Sequence, residues 1–262
     1  MLIKDLDYFK KSSNYTSNIS GLDKSGNNYY RYNSWGFRGP EYQKGKNVYI
    51  CLGDSFTVNI GCTIENSWPS LLNLPTVNLG MDGAGNDSIN LLYNRANEVF
   101  NVKGTFVMYS FLHRRLVDGK FKQYAYDDQE NFDYFLQNRI EGAIECALPS
   151  WCWSDSEYEF LKGLGIYFLD IPDYGLFSEY PNIDRTHIYK EAYNNLRGPD
   201  WPTYNSFIAG APSHSDMFTK EFGLFCNPQR KYKNSDGFHL SKYANCIYSN
   251  YLIQQEKQKN ES

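Results

Sequence analysis

Residues 47–61 read NVYICLGDSFTVNIG. An apolar run rich in strand-favouring side chains, Val48 to Leu52, stops at Gly53-Asp54-Ser55, and the chain then turns polar. Gly53 permits a tight turn that a side chain would obstruct. In a parallel sheet covered by helices, ligands collect at the carboxyl ends of the strands. The run therefore delivers Ser55 to such an edge, where a serine becomes a nucleophile if a base takes its proton.

The pattern around this stretch alternates strands and helices. Strand signals occur at 47–52, 76–79 (TVNL), 105–111 (TFVMYSF) and 165–170 (GIYFLD). Helical signals occur at 66–73, 86–100, near 131–147 and at 240–257. In the last, Leu240, Tyr243, Ala244, Ile247, Tyr248 and Tyr251 share one face at 3-4 spacing. Alternation of this kind predicts an α/β fold with a parallel sheet covered on both faces. Residues 1–29 are polar and read as an irregular arm, followed by one domain over 30–262. Within it, 113–130 and 172–235 are too long for simple connections, so a large insertion is expected around 113–235.

Composition narrows the partners. The 262 residues carry a net charge of −4 and no long basic run, which argues against nucleic acid. No apolar run approaches the ~20 residues that span a bilayer. MLIKDLDYFKKSSN lacks the apolar segment of a signal peptide, so a cytoplasmic location with reduced thiols is expected; association with a virion is the other location considered. The six cysteines are scattered without a CxxC pair, and no metal or organic cofactor is implied. Cys51 and Cys226 sit in apolar runs and read as core residues. Trp68 also reads as core, while Trp151 and Trp153 either pack or line a sugar-sized groove.

Of the four histidines, His113 follows the third strand, and His187 and His214 lie in polar segments. His239 has different company: NSDGFHLSKYAN places Asp236 three residues ahead of it, just before the last helix, with Ser241 as a plausible N-cap. A D-x-x-H turn can aim the carboxylate at one ring nitrogen while the other faces Ser55. Taken singly, GDS is a common turn and D-x-x-H an ordinary capping arrangement; their order, with a strand before the first and a helix after the second, is what points to acyl chemistry.

These blocks resemble the SGNH hydrolases, also called GDSL esterases and lipases. GDSFT, 53–57, is similar to their first block, with Ser55 as nucleophile, and DGFH, 236–239, to their last, with Asp236 and His239 completing the triad. WGFRG, 35–39, resembles a lead-in found in some members. The resemblance implies a three-layer α/β/α, flavodoxin-like fold. It also implies an oxyanion hole made by the N–H groups of Ser55 and of a glycine after the second strand, Gly83 in VNLGMDGAG, with Gly80 as the alternative. One block departs. Family members carry G-x-N-D after the third strand, whereas here GAGND, 83–87, follows the second and SFLHRR, 110–115, follows the third. Either Asn86 donates to the oxyanion from the start of its helix, or Ser110 or His113 substitutes, or the donor is missing; alternatively Asn86 only caps its helix. Asp54 is expected to support the turn by backbone hydrogen bonds. His113 and Arg114 are candidate substrate contacts, although Arg114 and Arg115 also fit a solvated position.

The resemblance implies hydrolysis of a carboxylic ester through an acyl-serine, with a small ester or an acylated glycan, above all a carbohydrate O-acetyl group, as substrate. Two other readings stand beside it. One is an SGNH-fold carbohydrate-binding or virion structural protein with weak or no turnover. The other is an O-acyltransferase using the same triad. Oligomeric state is left open by the sequence.

Overall fold

The structure, a computed structural model, describes residues 21–22, 29–117, 120–123, 128–148, 151–152, 155–168, 239–240 and 242–261. Its centre is a five-stranded sheet built from β1 (Asn47–Leu52), β2 (Thr76–Asn78), β3 (Asn101–Met108), β4 (Ile144–Ala147) and β5 (Tyr167–Phe168). All four pairings are parallel and the spatial order is β2-β1-β3-β4-β5. This is the flavodoxin-like doubly wound order, in which the chain reverses direction of growth beside the first strand. The reversal leaves a crevice at the carboxyl ends of β1 and β3, and Ser55 emerges there.

Period-two alternation along the strands sends side chains to two cores. Val48, Ile50, Leu52, Val107 and Tyr109 enter one core, with Ile89, Leu92 and Ala96 of α3 (Asn86–Val99), Phe135 of α4 (Asp128–Asn138) and Leu161 of α5 (Asp155–Gly163). Cys51, Phe106, Met108 and Cys146 enter the other, with Trp68 of α2 (Trp68–Leu71) and Ala244, Tyr248 and Leu252 of α6 (Lys242–Glu261). The result is the expected three-layer α/β/α arrangement. Between β1 and α2 lies α1, the four residues Ser55–Val58. Cys51 has no exposed surface, and burial pushes its thiol well up.

Several sequence expectations shift. The helix expected near 131–147 divides into α4 and β4: Gly142 interrupts it with φ 78°, and the short run Ile144–Ala147 pairs with β3. Two of the five sheet strands consequently fall inside the span expected as an insertion. Arg114–Val117 and Lys120–Gln123 form a small antiparallel hairpin beside the sheet. In the expected irregular arm, Gly21–Leu22 pairs with Tyr29–Tyr30. Ser241, His187, His214, Trp153 and Cys226 lie outside the described residues, as does Asp236.

WGFRG has a structural task. Asn33 folds the segment by accepting from Trp35 N–H and Phe37 N–H, each at 3.0 Å. Arg38, 2% exposed, then donates to the carbonyls of Val58 (3.1 Å), Asn59 (2.5 Å) and Cys62 (2.6 Å). The first two are carbonyls at the end of α1, which a helix leaves without internal partners, and the third lies in the turn beyond it. Arg38→Met strands them in a buried place. The expected cost is about 3 kcal/mol, read as a lower urea midpoint with an unchanged slope. Superimposable unfolding curves would show that these carbonyls do not depend on the guanidinium.

Candidate active site

β1 ends at Leu52, and Gly53 turns the chain with φ 156°. A Cβ on Gly53 would lie 2.1 Å from Thr57 Oγ1 and 2.9 Å from the Met108 carbonyl, so the turn closes only without a side chain. Asp54 is the N-cap of α1: its Oδ1 accepts from Phe56 N–H at 3.0 Å, and its carbonyl accepts from Thr57 and Val58 N–H. That is the support expected of it. Ser55 opens the helix and is 7% exposed. Among the described residues, its hydroxyl and its N–H have no hydrogen-bond partner.

The neighbouring loop is tied to this turn. Asn78 at the end of β2 donates to Thr57 O at 2.8 Å and accepts from Gly80 N–H at 2.8 Å, while Met81 N–H donates to Gly53 O at 3.0 Å. Gly80 is thereby removed as an oxyanion donor, because its N–H already serves Asn78. Gly83, in a turn with φ 73°, has an N–H with no acceptor among the described residues.

His239 is brought to the same turn. Its ring stands 4.9 Å from that of Phe56, the residue after Ser55, at 51°. Phe56 carries Trp151 at 4.8 Å, edge to face. Trp151 is 3% exposed and so packs rather than forming an open sugar platform. Asn245 of α6 anchors the segment: its amide donates to Asn59 Oδ1 at 2.9 Å and to Leu240 O at 3.3 Å, and its oxygen accepts from Trp68 N–H at 3.0 Å. The partner carboxylate expected for His239, Asp236, lies outside the described residues.

Three expectations for the third block are corrected. Asn86 neither caps its helix nor points an amide at an open site. Its Nδ2 donates to the carbonyls of Ser110 (3.1 Å) and Phe111 (3.5 Å), and its Oδ1 accepts from Ser110 N–H at 2.8 Å. Gly85 holds the N-cap position without a side-chain bond. His113 has no exposed surface and packs on Phe111 with ring centroids 5.2 Å apart, so it presents nothing to a substrate. Arg114 and Arg115 are not solvated. Arg115 pairs with Glu130 at 2.5 Å and Asn131 at 3.0 Å. Arg114 Nη1 pairs with Asp54 Oδ2 at 3.1 Å and donates to Ser110 Oγ at 2.9 Å and Ala84 O at 3.5 Å. Ser110 Oγ in turn donates to Asp54 Oδ2 at 3.1 Å. Burial pushes the Asp54 carboxyl up and the Arg114 guanidinium down, each against the opposing charge of the other.

Sequence reasoning missed Arg38, Asn78 and Asn245, the residues that position the turn. Asn245 and Ser249 are the polar members of the buried face of α6, and polar residues on an apolar face are the available signal.

The Asn86 contacts define a test. Asn86→Ala leaves a buried N–H and carbonyl of Ser110 without partners, and is expected to destabilise the fold by about 2 kcal/mol. A thermal midpoint equal to that of the wild type would mean that water or another side chain takes over both groups.

No family model matches the chain, and no curated protein matches it. Several solved structures align with it, two of which follow. A lipolytic protein of the G-D-S-L family from Desulfitobacterium hafniense DCB-2 is 18% identical, with a TM-score of 0.31 over 47% of this chain and 75% of that one. A gut microbial diltiazem-metabolizing enzyme is 12% identical, with a TM-score of 0.32 over 82% of this chain and 48% of that one, so this chain spans about half its length. At this edge the chain brings together a flavodoxin-like sheet order, a Gly-Asp-Ser turn at the carboxyl end of β1, and His239, which reaches that turn from just before the last helix.

Proposed function

We propose that this chain is an SGNH-type serine esterase that hydrolyses carboxylic esters through an acyl-serine. The observation that carries the reading is the approach of the His239 ring to Phe56, since this joins two blocks almost two hundred positions apart in sequence. The Ser55 and Gly83 N–H groups, unengaged among the described residues, add a pair of oxyanion donors.

In this reading the Ser55 hydroxyl oxygen attacks the ester carbonyl carbon and its proton passes to His239. The carbonyl π pair moves onto oxygen, where the two N–H groups hold the charge. Collapse re-forms the carbonyl, and the alkoxide leaves with the proton from His239. A water then loses a proton to His239, attacks the acyl-serine, and releases the carboxylic acid as Ser55 recovers its proton. Asp236 orients the imidazole and stabilises its charged form. The substrate we propose is a carbohydrate O-acetyl group, on the resemblance to sugar deacetylases within the family.

The purified chain should hydrolyse p-nitrophenyl acetate, and Ser55→Ala should lower the rate by at least about 10³-fold. A fluorophosphonate should label the protein, with the adduct mapped by mass spectrometry to Ser55. Equal rates in both proteins and no adduct would leave a binding module in place of an esterase.

A further inference from the structure

The donor missing after β3 leaves a specific vacancy in the proposed chemistry. Asn86 is engaged with the Ser110 and Phe111 carbonyls, Ser110 Oγ with Asp54, and His113 has no exposed surface. None of the three side chains considered for the role is available to an oxyanion.

We propose that Arg114 is the side-chain oxyanion donor of this site, with Nη2 as the donating atom. The inference rests on the esterase reading and adds a residue to it. Arg114 Nη1 is held by Asp54 Oδ2 at 3.1 Å, Ser110 Oγ at 2.9 Å and Ala84 O at 3.5 Å. Asp54 directly precedes Ser55, and Ala84 directly follows Gly83. The guanidinium therefore contacts the residue next to each of the two N–H groups that are unengaged among the described residues. Nε is buried, whereas Nη2 has no hydrogen bond among the described residues and the side chain keeps 12% of its surface exposed. The planar fork fixes where Nη2 points once Nη1 is fixed, which a flexible ammonium does not do.

The backbone holds the residue as firmly as its head group. Arg114 passes directly over the loop that carries Gly83: a Cβ on Gly85 would lie 2.3 Å from the Arg114 carbonyl oxygen. The guanidinium face rests 4.8 Å from the Phe111 ring. A donor fixed before the reaction needs no reorganisation as charge develops, and that preorganisation is the source of oxyanion-hole catalysis. Pairing with Asp54 keeps the cation from being a lone buried charge, while the second nitrogen stays outside the pair.

Arg114→Lys tests this. Lysine retains a cation for Asp54 and removes the fork. The readouts, on the purified full chain, are kcat and KM for p-nitrophenyl acetate, the second-order rate of Ser55 labelling by a fluorophosphonate, and the thermal midpoint. The expected result is a kcat and a labelling rate each lower by about 10²–10³-fold, with KM within about twofold of the wild type. Labelling slows because the phosphoryl oxygen must occupy the same hole. Wild-type kcat and labelling in Arg114→Lys overturn the proposal, as does a loss confined to KM. If Arg114→Lys does not fold, Asp54→Asn/Arg114→Gln, which leaves no unpaired charge, is judged by the same split between kcat and KM. A wild-type protein that neither turns over nor labels overturns the esterase reading along with this one; a labelled wild type matched by Arg114→Lys removes Arg114 alone.

Discussion

The Asp54 carboxylate is the point on which the site is hung. One oxygen holds the Phe56 N–H in the first turn of α1, and the other receives the Ser110 hydroxyl and the Arg114 guanidinium. A carboxylate taken out of water alone costs several kcal/mol, and only close pairing with well-placed donors offsets that. These partners come from the end of β3 and the hairpin beyond it. The Gly-Asp-Ser turn and the exit of the neighbouring strand are thereby one unit, and neither can move without leaving a buried charge to its own desolvation. Residues chosen for such positions specify geometry more than they add stability.

A four-residue helix has no stability of its own, because a first turn fixes several residues for very few hydrogen bonds. α1 persists because side chains from elsewhere grip its backbone and its cap residue. Arg38 takes the carbonyls at its end, Asn78 takes that of Thr57, and Asn245 holds Asn59, which sits in the left-handed region at φ 65°. The three come from the lead-in, the second strand and the last helix. Ser55 is thus presented on a short element whose shape is dictated from outside, an economical way to fix one side chain at a sheet edge.

The parts of this arrangement that were legible in the sequence were those with strong local chemistry. Val48–Leu52 followed by Gly-Asp-Ser announces a strand and its stop, and the long 3-4 faces of α3 and α6 announce helices on a parallel sheet. β4 escaped because Ile144–Ala147 is four residues long and lies against a helical pattern, so periodicity had nothing to separate them with. Arg114 and Arg115 were unreadable for a different reason. Adjacent arginines after a strand look solvated unless their acidic and amide partners are known, and Asp54 is sixty positions away. Asn86 likewise matched a familiar string in a new place; its bonds to Ser110 follow from tertiary proximity, which no local pattern encodes.

The bond between Asn245 and Asn59 spans 186 positions. It closes one of the longest loops in the molecule, and closure entropy has to be met before such a contact returns anything. The sheet can pair β1 with β2 and β3 early, from neighbouring segments, while the end of α1 still lacks its grip. During synthesis the Gly-Asp-Ser turn lacks this hold until α6 has emerged and docked. A chain interrupted before residue 245 lacks the side chain that holds Asn59, the cap residue of α1.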